Sequence, residues 1–106
     1  MNENKCNEHF HLLMTMDFRA ILAFITVVES GNLYCASIQL GCSQPAVSIY
    51  LNRVRGYFPK PLFSREGRNL VPTDYAVILS SKLKESLGDF QKIVLSHKIL
   101  ERDMAT

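Results

Sequence analysis

The stretch GCSQPAVSIYLNRV, residues 41–54, constrains the fold more than any other part of the chain. Ser43 follows a glycine-containing turn, and Gln44-Pro45 opens a segment in which Val47, Leu51, Val54 and Phe58 recur at helical spacing. Ser43 is a good N-cap, because its hydroxyl can accept from the orphan amides of a first helical turn. Pro45 falls inside that turn, where no intrahelical donor is needed. A helix over about 44–57 would bury the apolar stripe and turn Gln44, Ser48, Ile49 and Asn52 the other way. Burial in its own domain gives a helix nothing for that outward set. A helix that lies against something else can use it.

The residues upstream complete a motif. In MDFRAILAFITVVESGN, Phe18, Ile21, Leu22, Ile25 and Val28 form a helical stripe, Asp17 can cap its start, and Gly31 can end it in a left-handed conformation. Asn32 can cap a second, short helix, LYCASIQL, with Leu33, Ala36 and Leu40 on one face. Gly41 supplies the turn, and small residues at Ala36, Ser37 and Ala46 allow close approach of the second and third helices. Two short helices joined by a tight glycine-containing turn are a helix-turn-helix.

Downstream, Pro59 and Pro61 end the third helix. LFSREGRNLVPT then has two apolar pieces, Leu62-Phe63 and Leu70-Val71, around a polar tip of Glu66-Gly67-Arg68-Asn69. That pattern predicts a β-hairpin over 62–72. Thr73 caps a long helix, with Asp74 placed to interact with its dipole. Along that helix Ile78 or Leu79, Leu83, Leu87, Phe90 and Val94 form one apolar stripe. The expected organisation is mainly α: a flexible leader over 1–15, a winged helix-turn-helix over 16–72 (three helices plus the hairpin wing), a linker helix over 73–100 and a tail over 101–106.

Composition narrows the function. The 106 residues suffice for one domain, and an apolar fraction of 47% is that of a globular chain. The total charge is only +2, yet Arg53, Arg55, Lys60, Arg65 and Arg68 against Glu66 give +4 between Leu51 and Val71. A basic block in a near-neutral chain suits a polyanion-facing surface, or a solvated face. The three cysteines, Cys6, Cys35 and Cys42, are odd in number and form no CxxC pair, which argues for a reducing, cytoplasmic compartment. Cys35 and Cys42 read as small, buried, apolar-like residues. No signal-peptide core is evident, and AILAFITVV is too short to span a bilayer. Cys6, His9 and His11 are loosely spaced with no second ligand pair, so the leader reads as polar chain and no metal or cofactor is expected. Ser48 and Cys42 have no histidine near them in sequence, and no catalytic cluster is seen, so the chain reads as a non-enzyme.

A helix-turn-helix followed by a basic hairpin is a winged helix. Its third helix can present Gln44 to adenine, Asn52 to a base edge or phosphate, Pro45 and Ile49 to a thymine methyl, and Ser43 and Ser48 to phosphates. The wing can carry Arg65 and Arg68 to the flanking backbone or minor groove.

In FITVVESGN, ASIQL, SQPAVS, PLFSR and GRNLVPT, residues 17 to about 95 resemble the N-terminal DNA-binding domain and linker helix of LysR-type transcriptional regulators. The resemblance implies bacterial transcriptional control, a recognition helix in the major groove and a dimer formed through the long helix. It places the DNA contacts on Ser43, Gln44, Pro45, Ser48, Ile49 and Asn52, with Arg65 as the wing arginine. Arg53 and Arg68 join that set as basic neighbours, and Leu79, Leu83, Leu87, Phe90 and Val94 are the expected dimerisation residues. The expected partner is double-stranded DNA carrying a pseudo-palindromic site. The alternative is a short interaction module that pairs with a full-length LysR-type relative through the long helix and modulates it.

The chain departs from the family pattern in several places. Ala36-Ser37 replaces the usual Ala-Ala, Cys35 and Ile49 stand where basic or polar residues are common, and Val54-Arg55 replaces Leu-Glu. Thr73-Asp74-Tyr75-Ala76 replaces Thr-Pro-Ala-Gly. The family's sensor domain is not within these 106 residues, so no effector pocket is expected in them.

Overall fold

The structure, a computed structural model, describes the chain over residues 10–105 and its side chains to residue 98. In order it contains α1 (Phe18–Ser30), α2 (Leu33–Leu40), α3 (Gln44–Arg55), β1 (Phe63–Glu66), β2 (Asn69–Pro72) and α4 (Asp74–Ala105). This is the mainly α winged helix-turn-helix with a long final helix that the sequence predicts. Residues 10–15 are helical where a flexible leader was expected, with Phe10, Leu12, Leu13 and Met14 exposed. Cys6, His9 and the rest of residues 1–9 lie outside the described residues.

Local chemistry sets the helix ends. Asp17 Oδ1 accepts from the Arg19 amide (2.9 Å), Asn32 Oδ1 from the Cys35 amide (2.7 Å) and Ser43 Oγ from the Ala46 amide (3.2 Å). Each side-chain oxygen replaces an acceptor that a first helical turn lacks. At the far end of α2, the Cys42 amide donates to Ser37 O (3.0 Å) and the Gly41 amide to Ile38 O (3.2 Å). With Gly41 at φ 67, these bonds make a Schellman close that turns the chain directly into α3.

The core lies where α1, α2 and α3 meet. Val47, Leu51 and Val54 of α3 are buried as expected, but α3 stops at Arg55, short of the expected 57. Phe58 therefore lies beyond the helix, half-buried against the core. The α1 stripe is rotated from its expected position. Ile21 and Ile25 are buried, but so are Ala20, Ala23, Phe24 and Val27, whereas Phe18 (56% exposed) and Leu22 (43%) face outward. Alanines at 20 and 23 let α1 lie close to its neighbours, which draws that side inward and rolls Phe18 and Leu22 out.

The hairpin pairs Phe63 with Pro72, Ser64 with Val71, Arg65 with Leu70 and Glu66 with Asn69. The tip is thus the two residues Gly67-Arg68, tighter than the four-residue tip expected. Only Gly67 has positive φ (65°), the sign pattern of a type II′ turn, which suits the twist of paired strands. The Phe63 ring meets Phe24 edge-on, with centroids 6.0 Å apart. Thr73 locks the wing to α4: its amide donates to Leu62 O (3.0 Å), its hydroxyl donates to Pro61 O (2.8 Å), and the same oxygen accepts from the Ala76 amide (3.1 Å).

The last helix continues to Ala105, so residues 101–105 extend it rather than forming a separate tail. At 1.5 Å per residue it is about 48 Å long, far longer than the three-helix core it leaves. Its stripe divides in two. Leu79, Leu83 and Leu87 are half-buried against the core, while Ile78, Phe90 and Val94 are exposed. An ion pair from Lys84 Nζ to Glu29 Oε1 (2.7 Å) holds α4 to the end of α1.

Candidate nucleic-acid interface

Burying Val47, Leu51 and Val54 fixes the rotation of α3, and that rotation chooses its outer face. Ser43, Gln44, Pro45, Ile49 and Asn52 are exposed, and Ser48 is half-buried between them. Gln44, Ser48 and Asn52 follow at four-residue steps, so they stand one above another along the helix. Both wing arginines are exposed, Arg65 at the third position of β1 and Arg68 in the turn. The start of α3 and the wing tip share one open cleft, lined by Asn32, Tyr34, Gln44, Arg68 and Asn69 among others. Sequence reasoning did not find Asn32, Tyr34 or Asn69, because only folding brings the α2 cap to the hairpin.

Arg53 has partners that its sequence neighbourhood does not show. Its guanidinium pairs with Asp17 Oδ2 and lies 5.7 Å from the Tyr50 ring centroid. Asp17 is a junction: the same carboxylate caps α1, and its backbone amide donates to the Tyr57 hydroxyl (2.7 Å). Arg53 thereby ties the end of α3 to the start of α1, with its side chain still half exposed. Sequence spacing could not show this, since the partners lie 36 residues apart.

Desolvation pushes the Asp17 carboxyl upward, but the Arg53 hydrogen bond, the Arg19 and Ala20 amides and the Arg53 charge outweigh it and hold the group below the ordinary carboxylate range. The lowered folded-state value means the junction stabilises fully above the unfolded carboxylate pKa and is lost as pH falls through the folded value. Asp17→Ala is expected to cost about 1–2 kcal/mol at neutral pH, chiefly through the lost cap. The difference from the parent should shrink in acid, and urea denaturation across that range measures it. A gap constant with pH would show that the charge plays no part.

A second hydrogen bond lies on the outer face itself. Arg55 Nη1 donates to Asn52 Oδ1 at 2.8 Å. Arg55 was noted in the sequence only for its charge, although a spacing of three residues puts the two side chains within reach.

Elsewhere on the domain, α1 and α4 form an apolar groove lined by Phe18, Leu22, Ile25, Leu87, Phe90 and Val94. Ile93 and Leu95 of α4 are exposed as well. Among the described residues no group of His, Cys, Asp and Glu has metal-holding geometry, and no helix is long and apolar enough to cross a membrane. Cys35 and Cys42 are free and half-buried.

Residues 18–77 match the family described as bacterial regulatory helix-turn-helix protein, lysR family. The chain belongs to the LysR family of bacterial regulators. This is a regulatory family, not an enzyme family. The LysR-type chain is 35% identical to nodulation protein D 1 of Bradyrhizobium diazoefficiens over 81% of its own length and 27% of that protein's. It therefore spans about a quarter of the length of such relatives. A probable transcriptional regulator from Pseudomonas aeruginosa superposes with a TM-score of 0.66 at 28% identity, over 76% of this chain and 27% of that one. The BenM DNA-binding domain in complex with catB site 1 DNA superposes with a TM-score of 0.70 at 22% identity, over 78% of this chain and 92% of that one. That likeness bears on the fold.

Proposed function

We propose that this LysR-type chain is a sequence-specific, DNA-binding transcriptional regulator that acts in the bacterial cytoplasm as a homodimer on double-stranded DNA. The observation that carries the reading is the cleft in which Gln44, at the start of α3, and Arg68, at the wing tip, stand together on one exposed face. Helix α3 enters the major groove. Gln44 pairs with adenine, Pro45 and Ile49 meet thymine methyls, and Ser43 and Ser48 approach phosphates. Arg65 and Arg68 reach the flanking backbone or minor groove. Arg53, paired with Asp17, braces this helix beside the same face.

The partner on the apolar groove is a second copy. Of the side chains that line it, Phe18, Leu22, Phe90 and Val94 are apolar and exposed. A patch of that kind marks an association surface. The outer half of α4 extends beyond its own core and offers Phe90 and Val94 to the same half of another chain. Leu79, Leu83 and Leu87 back this seam from the inside. Two-fold pairing then predicts an inverted repeat whose half-sites lie one or more helical turns apart.

Selection of bound duplexes from a random pool tests the reading, with affinity followed against salt. Enrichment of an inverted repeat is the expected result. Gln44→Ala should then lose about 1–3 kcal/mol of discrimination at one position in each half-site, with dimer mass and thermal stability unchanged. Binding that enriches no repeat and falls steeply with salt would leave only phosphate attraction and defeat the proposal.

A further inference from the structure

We propose that the cleft between the end of α3 and the start of the wing is a phosphate-binding site, in which Arg55 and Lys60 grip the DNA backbone at the edge of the groove that α3 enters. The inference rests on the DNA-reading function proposed above and adds two residues to its contact surface.

The row of outward side chains on α3 does not end at Asn52. Arg55 follows three residues later, on the same side of the helix, and is exposed. The 11 steps from Gln44 to Arg55 cover about 17 Å at the helical rise. The major groove is about 12 Å wide. A helix that crosses the groove with Gln44 among the bases therefore brings Arg55 to the sugar-phosphate wall.

The cleft at that end of the helix is lined by Arg55, Phe58, Pro59, Lys60 and Pro61 among others, two cations and no acid. Lys60 is exposed, and the segment that carries it is stiff. Pro59 fixes its own φ, and Pro61 restricts the residue before it, which is Lys60. The Thr73 hydroxyl pins the same segment through Pro61 O (2.8 Å). The Lys60 ammonium lies 5.5 Å from the Tyr75 ring centroid. One of the five Arg55 donors goes to Asn52 Oδ1 at 2.8 Å, which lays the guanidinium along the outer face and leaves other donors for a phosphate.

Among the described residues the ion pairs are Arg53 with Asp17 and Lys84 with Glu29, so neither cation of this cleft is neutralised. Two like charges over one cleft repel, and a phosphate oxygen between them relieves that repulsion. The cleft with Arg68 lies at the start of α3 and this one at its end, so the helix is bracketed by positive charge.

Affinity for one duplex, followed against salt, tests the site in the full chain and in Arg55→Gln, Lys60→Gln, Arg55→Lys and Lys82→Gln. Each phosphate contact contributes about 0.9 to the slope of log affinity against log salt. Arg55→Gln and Lys60→Gln should each lower the slope by that amount for every chain bound. The loss should be the same on duplexes of every sequence, because phosphates carry none. Arg55→Lys keeps the charge and should keep the slope. Lys82→Gln removes an exposed charge on α4 that lines neither cleft, and it should keep the slope too. Thermal unfolding should scarcely move in any of the four, so a lower slope reports contact and not folding. A parent that selects no repeat defeats the sequence-specific regulator, yet the slopes still report on this site. A parent slope in either glutamine variant would overturn the inference. So would an equal fall in Lys82→Gln, the mark of net charge alone, or a changed base preference at one position in Arg55→Gln, which would put Arg55 on a base edge.

Discussion

Phe24→Ala is expected to cost about 3–5 kcal/mol of folding stability. Phe24 is fully buried, and its ring fills the space between α1 and the wing, edge-on to Phe63. Truncation removes the transfer energy of the ring and leaves a cavity that α1 cannot close. The alanines at 20 and 23 already hold it against its neighbours, and both are fully buried. For a small domain whose total stability is about 5–15 kcal/mol, that is a large share. Urea denaturation followed by circular dichroism reads the loss directly. The informative control is Phe18→Ala, made in a monomeric background. Phe18 belongs to the stripe expected from the sequence, which left Phe24 out, yet Phe18 is 56% exposed and its loss should stay within about 0.5 kcal/mol. Equal losses at the two positions would mean that α1 is rolled the other way.

Phe90→Asp is expected to abolish pairing while leaving the domain folded. Phe90 is 61% exposed and lies outside the core cluster, so the monomer gives up little. In a dimer the same substitution would place an unpaired carboxylate in an apolar seam, a large penalty. Sedimentation should change from twice the chain mass to the single-chain value of 12.1 kDa. Affinity for an inverted repeat should fall by about 10²–10⁴, because the second half-site would no longer bind as part of the same complex. Leu83→Asp is a poorer test, since Leu83 is half-buried against its own core and the change would damage both folding and pairing. A Phe90→Asp protein that still sediments as a dimer would move the seam away from the outer half of α4.

The lengths of the elements show how far local rules reach. Asp17, Asn32, Ser43 and Thr73 each cap the helix expected of them, and α2 ends where Gly41 predicts. The hairpin falls where two apolar pairs flank a glycine. Where a boundary had no punctuation, the expectation drifted. Residues 100–105, LERDMA, contain no glycine or proline, and the helix runs on through them to Ala105. At the end of α3 the punctuation was present but overridden: the apolar spacing continued through Phe58, whereas the helix stops at Arg55 with Gly56 as its C-cap.

The sequence alone determined the order of elements, the caps, the turn into α3 and the outward set Gln44, Pro45, Ser48, Ile49 and Asn52. All of these depend on residues within a few positions of one another, so composition and spacing are enough. Tertiary structure decided which side of α1 is core, because Phe18, Leu22 and Phe24 are equally apolar and only the neighbouring helices distinguish them. It decided that Arg53 braces the domain, because Asp17 reaches it only after three helices have folded together. It also split the α4 stripe into a half that faces its own domain and a half that faces outward. A periodic pattern shows that a face is apolar, and only the packed chain shows how much of that face is already covered.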